Sequence, residues 1–291
     1  LPGTCDASDC ECAILTALST RAATGGTISV VASLPELMPE DVALRLMAGG
    51  VIPIGGIAEA LAATQAAIMR PSQSCDLIVP RAAQDAVTLT EAAAKQELSA
   101  AGVTVPQLLT GDLDLLAAHA DANPQKFVLK SVGIAHKSEV GGVALSLSGG
   151  DAVRYAASQM QADQFLLEEM ITDPVAELLI GIVKDPAHGF VITIGAGGIY
   201  TELAQDCVSL LLPASRNQLK TSLSCLKLDQ ILHGYRNQPA ANIESILDAI
   251  EAVQSYVLAN LDTVEEVEVN PLIATQTRAV AADALIRKRH D

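Results

Sequence analysis

The sequence predicts a two-part protein of mixed α/β and α+β class. Three observations carry that prediction: its length, an apolar strand-helix-strand-helix run near the start, and interspersed strands and helices from residue 88 onward. At 291 residues the chain exceeds the usual domain length of about 100 to 200 residues, so two units are expected. Half of its residues are hydrophobic and 18% are charged, the balance of a globular chain. No apolar stretch reaches the roughly 18 to 20 residues that a bilayer span needs, which argues against a membrane protein. A formal net charge of −16 argues against a nucleic-acid partner, because backbone binding relies on clustered Lys and Arg. Any phosphate ligand must then be held by local devices: a metal ion, a few placed lysines or backbone N–H groups.

At the start, Cys5, Cys10 and Cys12 invite a metal knuckle, but paired C-x-x-C ligands are absent. Cys75, Cys207 and Cys225 stand singly, so reduced, structural cysteines in a cytoplasmic protein are the expectation. The chain opens without methionine or a signal-like segment and reads as an interior piece of a longer protein. TISVVAS is β-branched, EDVALRLMAGG is a short helix closed by Gly49 and Gly50, VIPIG is a second strand, and IAEALAATQAAIM is a helix. This βαβα run assigns residues 1–70 to the end of a parallel-sheet domain whose other strands lie before Leu1 or on a partner. Residues 71–87, with Pro71, Ser72, Ser74 and Pro80, read as a linker.

The second domain, residues 88–291, opens with TLTEAAAKQELSAAGV. Thr88 and Glu91 have capping-box spacing, Glu91 and Lys95 form an i,i+4 pair, and Gly102 sits where a glycine ends a helix. There follow a helix near 111–121, the strand FVLK, the loop IAHKSEVGGV, a strand VALSL, a helix DAVRYAASQM and a strand QFLLEEMI. ELLIGIVKD and GFVITIGAGGIYTEL come next, then helical stretches near 217–232 and 242–260, and closing strands VEEVEVN and AVAADAL. Several hairpins among helices suggest a mixed nucleotide-binding domain more than a simple Rossmann repeat.

Three places can carry chemistry. In VEEVEVN a period of two puts Glu266, Glu268 and Asn270 on one face and Val267 and Val269 on the other, with Pro271 holding Asn270 extended. Adjacent carboxylates repel unless a cation joins them, and Asp283 on the next strand adds another oxygen ligand. Magnesium suits such a set, since it takes one or two carboxylates with phosphate and water; a solvated edge-strand face is the plainer alternative. In ITIGAGGIYTEL, Gly195, Gly197 and Gly198 allow close approach of N–H groups to phosphate, or simply a tight hairpin; Glu202 and Asp206 beyond them face a ligand or water. Lys130 can reach phosphate as a point charge, and His136, ahead of Gly141 and Gly142, is either a phosphoryl acceptor or a polar loop residue.

These sites in this order resemble the ATP-grasp domain of the nucleoside-diphosphate-forming acyl-CoA synthetases, relatives of succinyl-CoA synthetase. The motifs are TEAAAKQELSAAGV, FVLKSVGIAHKSEVGGVAL, FLLEEMI, ELLIGIVKDPAHGF, ITIGAGGIYTELAQD, LHGYRNQP and EVEVNPL. The strands ending in VIPIGGIAEALAA look like the last part of the flavodoxin-like CoA-ligase domain. The resemblance implies an acid–thiol ligase that makes acyl-CoA from a carboxylic acid, CoA and ATP through a phosphohistidine, releasing ADP and phosphate. It implies that Lys130 contacts ATP phosphates, that Glu168, Glu169 and Met170 form the adenine-side hinge, and that Asn270 and Asp283 hold Mg²⁺. Glu268 would lie near the phosphohistidine, and His136 matches the family's relay histidine in H-K-S-D/E-x-G-G. The principal carrier histidine, in an S-H-T-G-type motif, is not in this sequence. The CoA-binding and CoA-ligase domains would be supplied by the same polypeptide or a partner subunit, in an oligomer. DPAHGF, Asn237, Leu210 and Leu285 depart from the family pattern, the last two where arginine is common and Asn237 where glycine is. A catalytically degenerate, ATP-grasp-like regulatory region of a multidomain protein such as a protein acyltransferase, retained for ligand sensing, is the alternative.

Overall fold

Val30 and Val31 pair in parallel with Pro53 and Ile54, the arrangement that two apolar strands joined through a helix must adopt. The computed structural model describes residues 7–34, 37–68, 86–133, 141–198 and 206–289, and divides into two units, Leu1–Ser74 and Cys75–Asp291. In the first, α1 (Ala7–Thr24), β1 (Ser29–Ala32), α2 (Glu40–Ala48), β2 (Ile52–Gly55) and α3 (Ile57–Ile68) follow in order. Ile14, Leu46 and Val51 form its small core, and Arg21 Nε donates to Gly50 O at 3.1 Å. Helix α1, which the sequence pattern did not suggest, carries an exposed Cys12.

The second unit contains β3 (Ala86–Thr88), α4 (Glu91–Ala100), β4 (Leu108–Gly111), α5 (Leu113–Ala122), β5 (Phe127–Ser131) and β6 (Val143–Leu147). It continues with α6 (Gly150–Gln159), β7 (Phe165–Glu169), β8 (Ala176–Asp185), β9 (Gly189–Ala196) and β10 (Cys207–Leu211). Helices α7 (Arg216–Ser224), α8 (Asp229–Leu232) and α9 (Ile243–Ala259) precede β11 (Val264–Ala274), β12 (Ala279–Ala281) and β13 (Ala284–Arg289). Two antiparallel sheets result. One has the order β10-β9-β8-β11-β13-β3 with β12 also on β11, and the other the order β4-β7-β5-β6. The mixed architecture follows the sequence pattern, which missed the short strands β3, β4 and β10.

Each sheet has one helix-covered face. Phe127 and Leu129 of β5 and Phe165 and Leu167 of β7 pack with Leu116 and Ala120 of α5 and Val153 of α6. Val267 and Val269 of β11 pack with Leu98 of α4, Leu219 of α7 and Ile250 of α9. Alternation along each strand turns Lys130, Glu168, Glu268 and Asn270 to the opposite faces. The cap of α4 is corrected: Thr90, not Thr88, accepts the Ala93 N–H at 3.3 Å, because Thr88 is already paired in β3. Gly102 ends that helix at φ +102°, as its position suggested.

Candidate functional site

Four buried charges meet where the two sheets approach. Lys130 at the end of β5 lies 2.6 Å from Glu91 and 3.0 Å from Glu168, and Lys95 of α4 lies 2.8 Å from Glu91 and bonds Glu168 as well. Each lysine also donates to the Ala282 carbonyl at 2.6 Å. Val128 faces Glu168 in the β5–β7 register, so Lys130 is the diagonal neighbour of Glu168, within reach of a long side chain. Burial opposes the charge on Lys130, but Glu168, Glu91 and Asp283 outweigh it and hold the ammonium above the usual Lys range. Lys95 moves the other way: burial, followed by the Lys130 charge, pulls it down despite the two carboxylates.

The sequence reading named Lys130 and Glu168 but missed Lys95 and Glu91 as site residues. An i,i+4 Glu–Lys pair looks the same whether it is exposed or buried. The signal was the helix face: positions 91, 94, 95 and 98 share one stripe, and Ala94 and Leu98 are in the core. Both charged members of that stripe are therefore buried, with Lys95 fully enclosed.

The acidic strand lies beside this cluster. Val267 and Val269 are buried while Glu266, Glu268 and Asn270 are partly open, the alternation the sequence pattern suggested. Asp283, expected within a closing strand, instead sits in the bend between β12 and β13, directly after Ala282. Asn270 N–H donates to Asp283 O at 3.3 Å, and the Asp283 carboxylate accepts the Ala284 N–H at 2.8 Å. The peptide between Asn270 and Pro271 is cis, and the β11–β8 register shifts between Val269 and Leu272. Half-burial raises the Glu268 pKa; a hydrogen bond with Asn270 opposes this, and the Glu266 and Asp283 charges add to it. Leu285 stands directly across β13 from Glu268, so no cation from that position relieves the crowding.

The glycines have a steric explanation. A Cβ at Gly195 would come 2.7 Å from Asp206 O, and one at Gly197 would come 2.4 Å from the Leu178 carbonyl carbon. Gly198 adopts φ +74° and donates its N–H to Asn270 Oδ1 at 3.0 Å, so this turn orients the amide beside Asp283. Asp206 accepts the Lys227 and Leu228 N–H groups at 2.8 and 2.9 Å, which gives it a structural role; Glu202 lies outside the described residues.

After Glu168, Glu169 pairs with Arg278 at 3.0 Å, and Met170 N–H donates to Lys126 O at 2.9 Å. Asn237, one of the departures from the expected pattern, adopts φ +67°, a left-handed conformation that Asn tolerates better than most residues. His136 and its neighbours from 134 to 140 lie outside the described residues. Among the described residues, no group of three or more His, Cys, Asp or Glu side chains is arranged to hold a metal. The oxygen set here is two carboxylates and an amide: Glu268, Asp283 and Asn270.

Residues 81–287 match the model of a family described as the ATP-grasp domain. The chain is 27% identical over 220 residues to the beta subunit of ADP-forming acetate–CoA ligase I of Pyrococcus furiosus, covering 71% of this chain and 94% of that subunit. It is 28% identical over 174 residues to the ADP-forming acetate–CoA ligase II of Archaeoglobus fulgidus, covering 56% of this chain and 25% of that longer protein. Among solved structures it resembles acetyl-coenzyme A synthetase 1 of Candidatus Korarchaeum cryptofilum, with a TM-score of 0.61 and 28% identity, over 69% of this chain and 93% of that one. That structure holds coenzyme A and Mg-AMPPCP, with its phosphohistidine segment pointing towards the nucleotide-binding site.

Proposed function

Because the chain belongs to the ATP-grasp family through residues 81–287, we propose that it is the nucleotide-binding part of an ADP-forming acid–CoA ligase, taking Mg-ATP between its two sheets. The observation that carries this reading is the convergence of Lys130 with the Asn270–Asp283 pair across the Ala282 carbonyl. In a chain of net charge −16, this brings a buried cation and hard oxygen ligands to one place. The crowding of Glu268, Glu266 and Asp283 fits a divalent cation, whose charge would relieve it. Asn270 and Asp283 would hold Mg²⁺, which supplies charge neutralisation at the phosphates when bound. Lys130 binds phosphate oxygens as a point charge, and the Gly198 N–H fixes the Asn270 amide. Residues 168–170 lead out of β7 along the adenine side, and the Gly195, Gly197 and Gly198 turn closes the phosphate side.

In this reading phosphate passes between ATP and acyl phosphate through a histidine, splitting a difficult transfer into two easier ones. A carboxylate is a poor acyl donor, and an acyl phosphate has a leaving group that the CoA thiolate displaces. His136 relays the phosphoryl group, and Glu268 serves the phosphohistidine site. The CoA-binding and CoA-ligase domains belong to the same polypeptide or to a partner subunit. Both arrangements have precedent, since one relative is a separate beta subunit and another is a longer chain. Residues 1–70 are the end of a flavodoxin-like CoA-ligase domain and 88–291 the ATP-grasp domain, which also takes in β3 from Ala86, so the linker expected at 71–87 is shorter by two residues. Calorimetry should show binding of Mg-ATP by the chain and loss of most of it in Asn270→Ala and Asp283→Ala. Equal binding by all three would exclude this metal pair, and no binding by the unaltered chain would exclude the nucleotide reading itself. In the full-length protein, γ-labelled ATP should leave acid-labile phosphate on histidine; its absence would reject the ligase in favour of a nucleotide-sensing region.

A further inference from the structure

Lys95 and Lys130 share three acceptors. Lys95 reaches Glu91, Glu168 and the Ala282 carbonyl, and Lys130 reaches the same three groups. Their surroundings differ. Lys95 is fully enclosed on a helix whose neighbours Ala94 and Leu98 are in the core, whereas Lys130 lies near the end of a strand, on the sheet face that meets the first turns of α4, and its side chain keeps 8% of its surface open. Only Lys130 can turn to a ligand, and doing so costs it buried ion pairs. Two ammonium groups on the same acceptors also repel each other, which favours the departure of one. With Lys95 in place, that departure leaves one buried carboxylate uncompensated; without Lys95 it would leave two.

We propose that Lys95 is a positioning residue that frees Lys130 for the nucleotide, keeping Glu91, Glu168 and the Ala282 carbonyl in place while Lys130 exchanges them for phosphate oxygens. The exchange rests on the nucleotide reading above. Lys95 never touches the ligand. It acts by supplying the charge that Lys130 takes away, and by holding the main chain just before Asp283 through Ala282 O.

The test uses calorimetric binding of Mg-AMPPCP to the full chain and to Lys95→Met, Glu91→Gln and the double variant, with circular dichroism to confirm folding. In Lys95→Met two carboxylates hold Lys130 alone, so affinity should fall about tenfold or more. Removing one carboxylate as well should restore it close to that of the unaltered chain, because the departure of Lys130 again leaves a single carboxylate uncompensated. Glu91→Gln alone should bind at least as tightly as the unaltered chain. A folded Lys95→Met with unchanged affinity, or a loss that Glu91→Gln fails to reverse, would overturn the exchange while leaving the nucleotide reading intact. If Lys95→Met does not fold, weaker binding by Glu91→Gln than by the unaltered chain would overturn it. Absence of Mg-AMPPCP binding by the unaltered chain would refute the nucleotide reading and the exchange together.

Discussion

Lys95 and Lys130 donate to one backbone oxygen, that of Ala282, each at 2.6 Å. The contact ties a helix and a strand of the four-stranded sheet to the bend before Asp283, so this charged cluster is also the joint between the two sheets. Glu168 completes it from β7. Glu168→Ala leaves two buried ammonium groups with one carboxylate, and breaking a buried pair from one side costs about 3–5 kcal/mol. Urea unfolding at pH 7 should show a loss of that size, with a smaller loss in Glu168→Gln. A loss below about 1 kcal/mol, the level of an exposed pair, would mean that water enters the cluster.

Gly197 lies against the backbone of β8, and a side chain there has no flexible neighbour to displace. Gly197→Ala should therefore force β8 and β9 apart at the end that carries Gly198. Overpacking of this kind costs about 1–3 kcal/mol. The same shift moves the Gly198 N–H away from Asn270, so Mg-ATP affinity should fall along with the melting temperature. A stability loss with unchanged affinity would show that Asn270 keeps its orientation without this hydrogen bond.

Regular elements and the alternating strand were legible in the sequence because each is encoded locally. The pattern VEEVEVN places Glu266, Glu268 and Asn270 on one face, and β11 presents them that way. Gly102 announces the end of α4 by itself. Thr88 misled because two threonines flank Leu89, and only pairing with Arg287 on β13, 199 positions away in sequence, removes Thr88 from the helix start. β3, β4 and β10 have three to five residues each and are recognised by their partners, not by their own periodicity. Lys95 was hidden for a different reason. Its burial requires Glu168 from β7 and Ala282 from beyond β12, and no local window contains both.

Asn237 tests how a departure from the expected glycine is accommodated. Its left-handed φ of +67° follows Arg236 at +48°, so two consecutive residues there carry a Cβ penalty. Asn237→Gly should stabilise the chain by about 0.5–1 kcal/mol, since glycine adopts this conformation freely. Asn237→Ala should destabilise it by about 1 kcal/mol, because alanine lacks the local hydrogen bonding that lets Asn occupy the region. Thermal unfolding of the pair checks both signs; equal melting temperatures would show that the turn adopts another conformation.

Glu97 supplies a pH-dependent contribution to stability. It accepts from Tyr256 at 2.5 Å and from Lys288 at 2.6 Å, joining α4 to α9 and β13. Partial burial works against its charge, but the hydrogen bonds from Lys288 and Tyr256 prevail and hold its pKa below the ordinary value of 4.5. A carboxyl whose folded pKa is depressed binds fewer protons folded than unfolded, so its stabilisation is present above 4.5 and is lost as pH falls through the folded pKa. A third of its side-chain surface stays exposed, and solvent screening keeps the contribution within about 1 kcal/mol. Glu97→Gln should therefore lower stability slightly at pH 7 and flatten the decline below pH 4.5, so that the two curves converge in acid. Denaturant midpoints measured from pH 7 down to pH 3 give both curves, and parallel curves would assign the acid loss to other carboxylates.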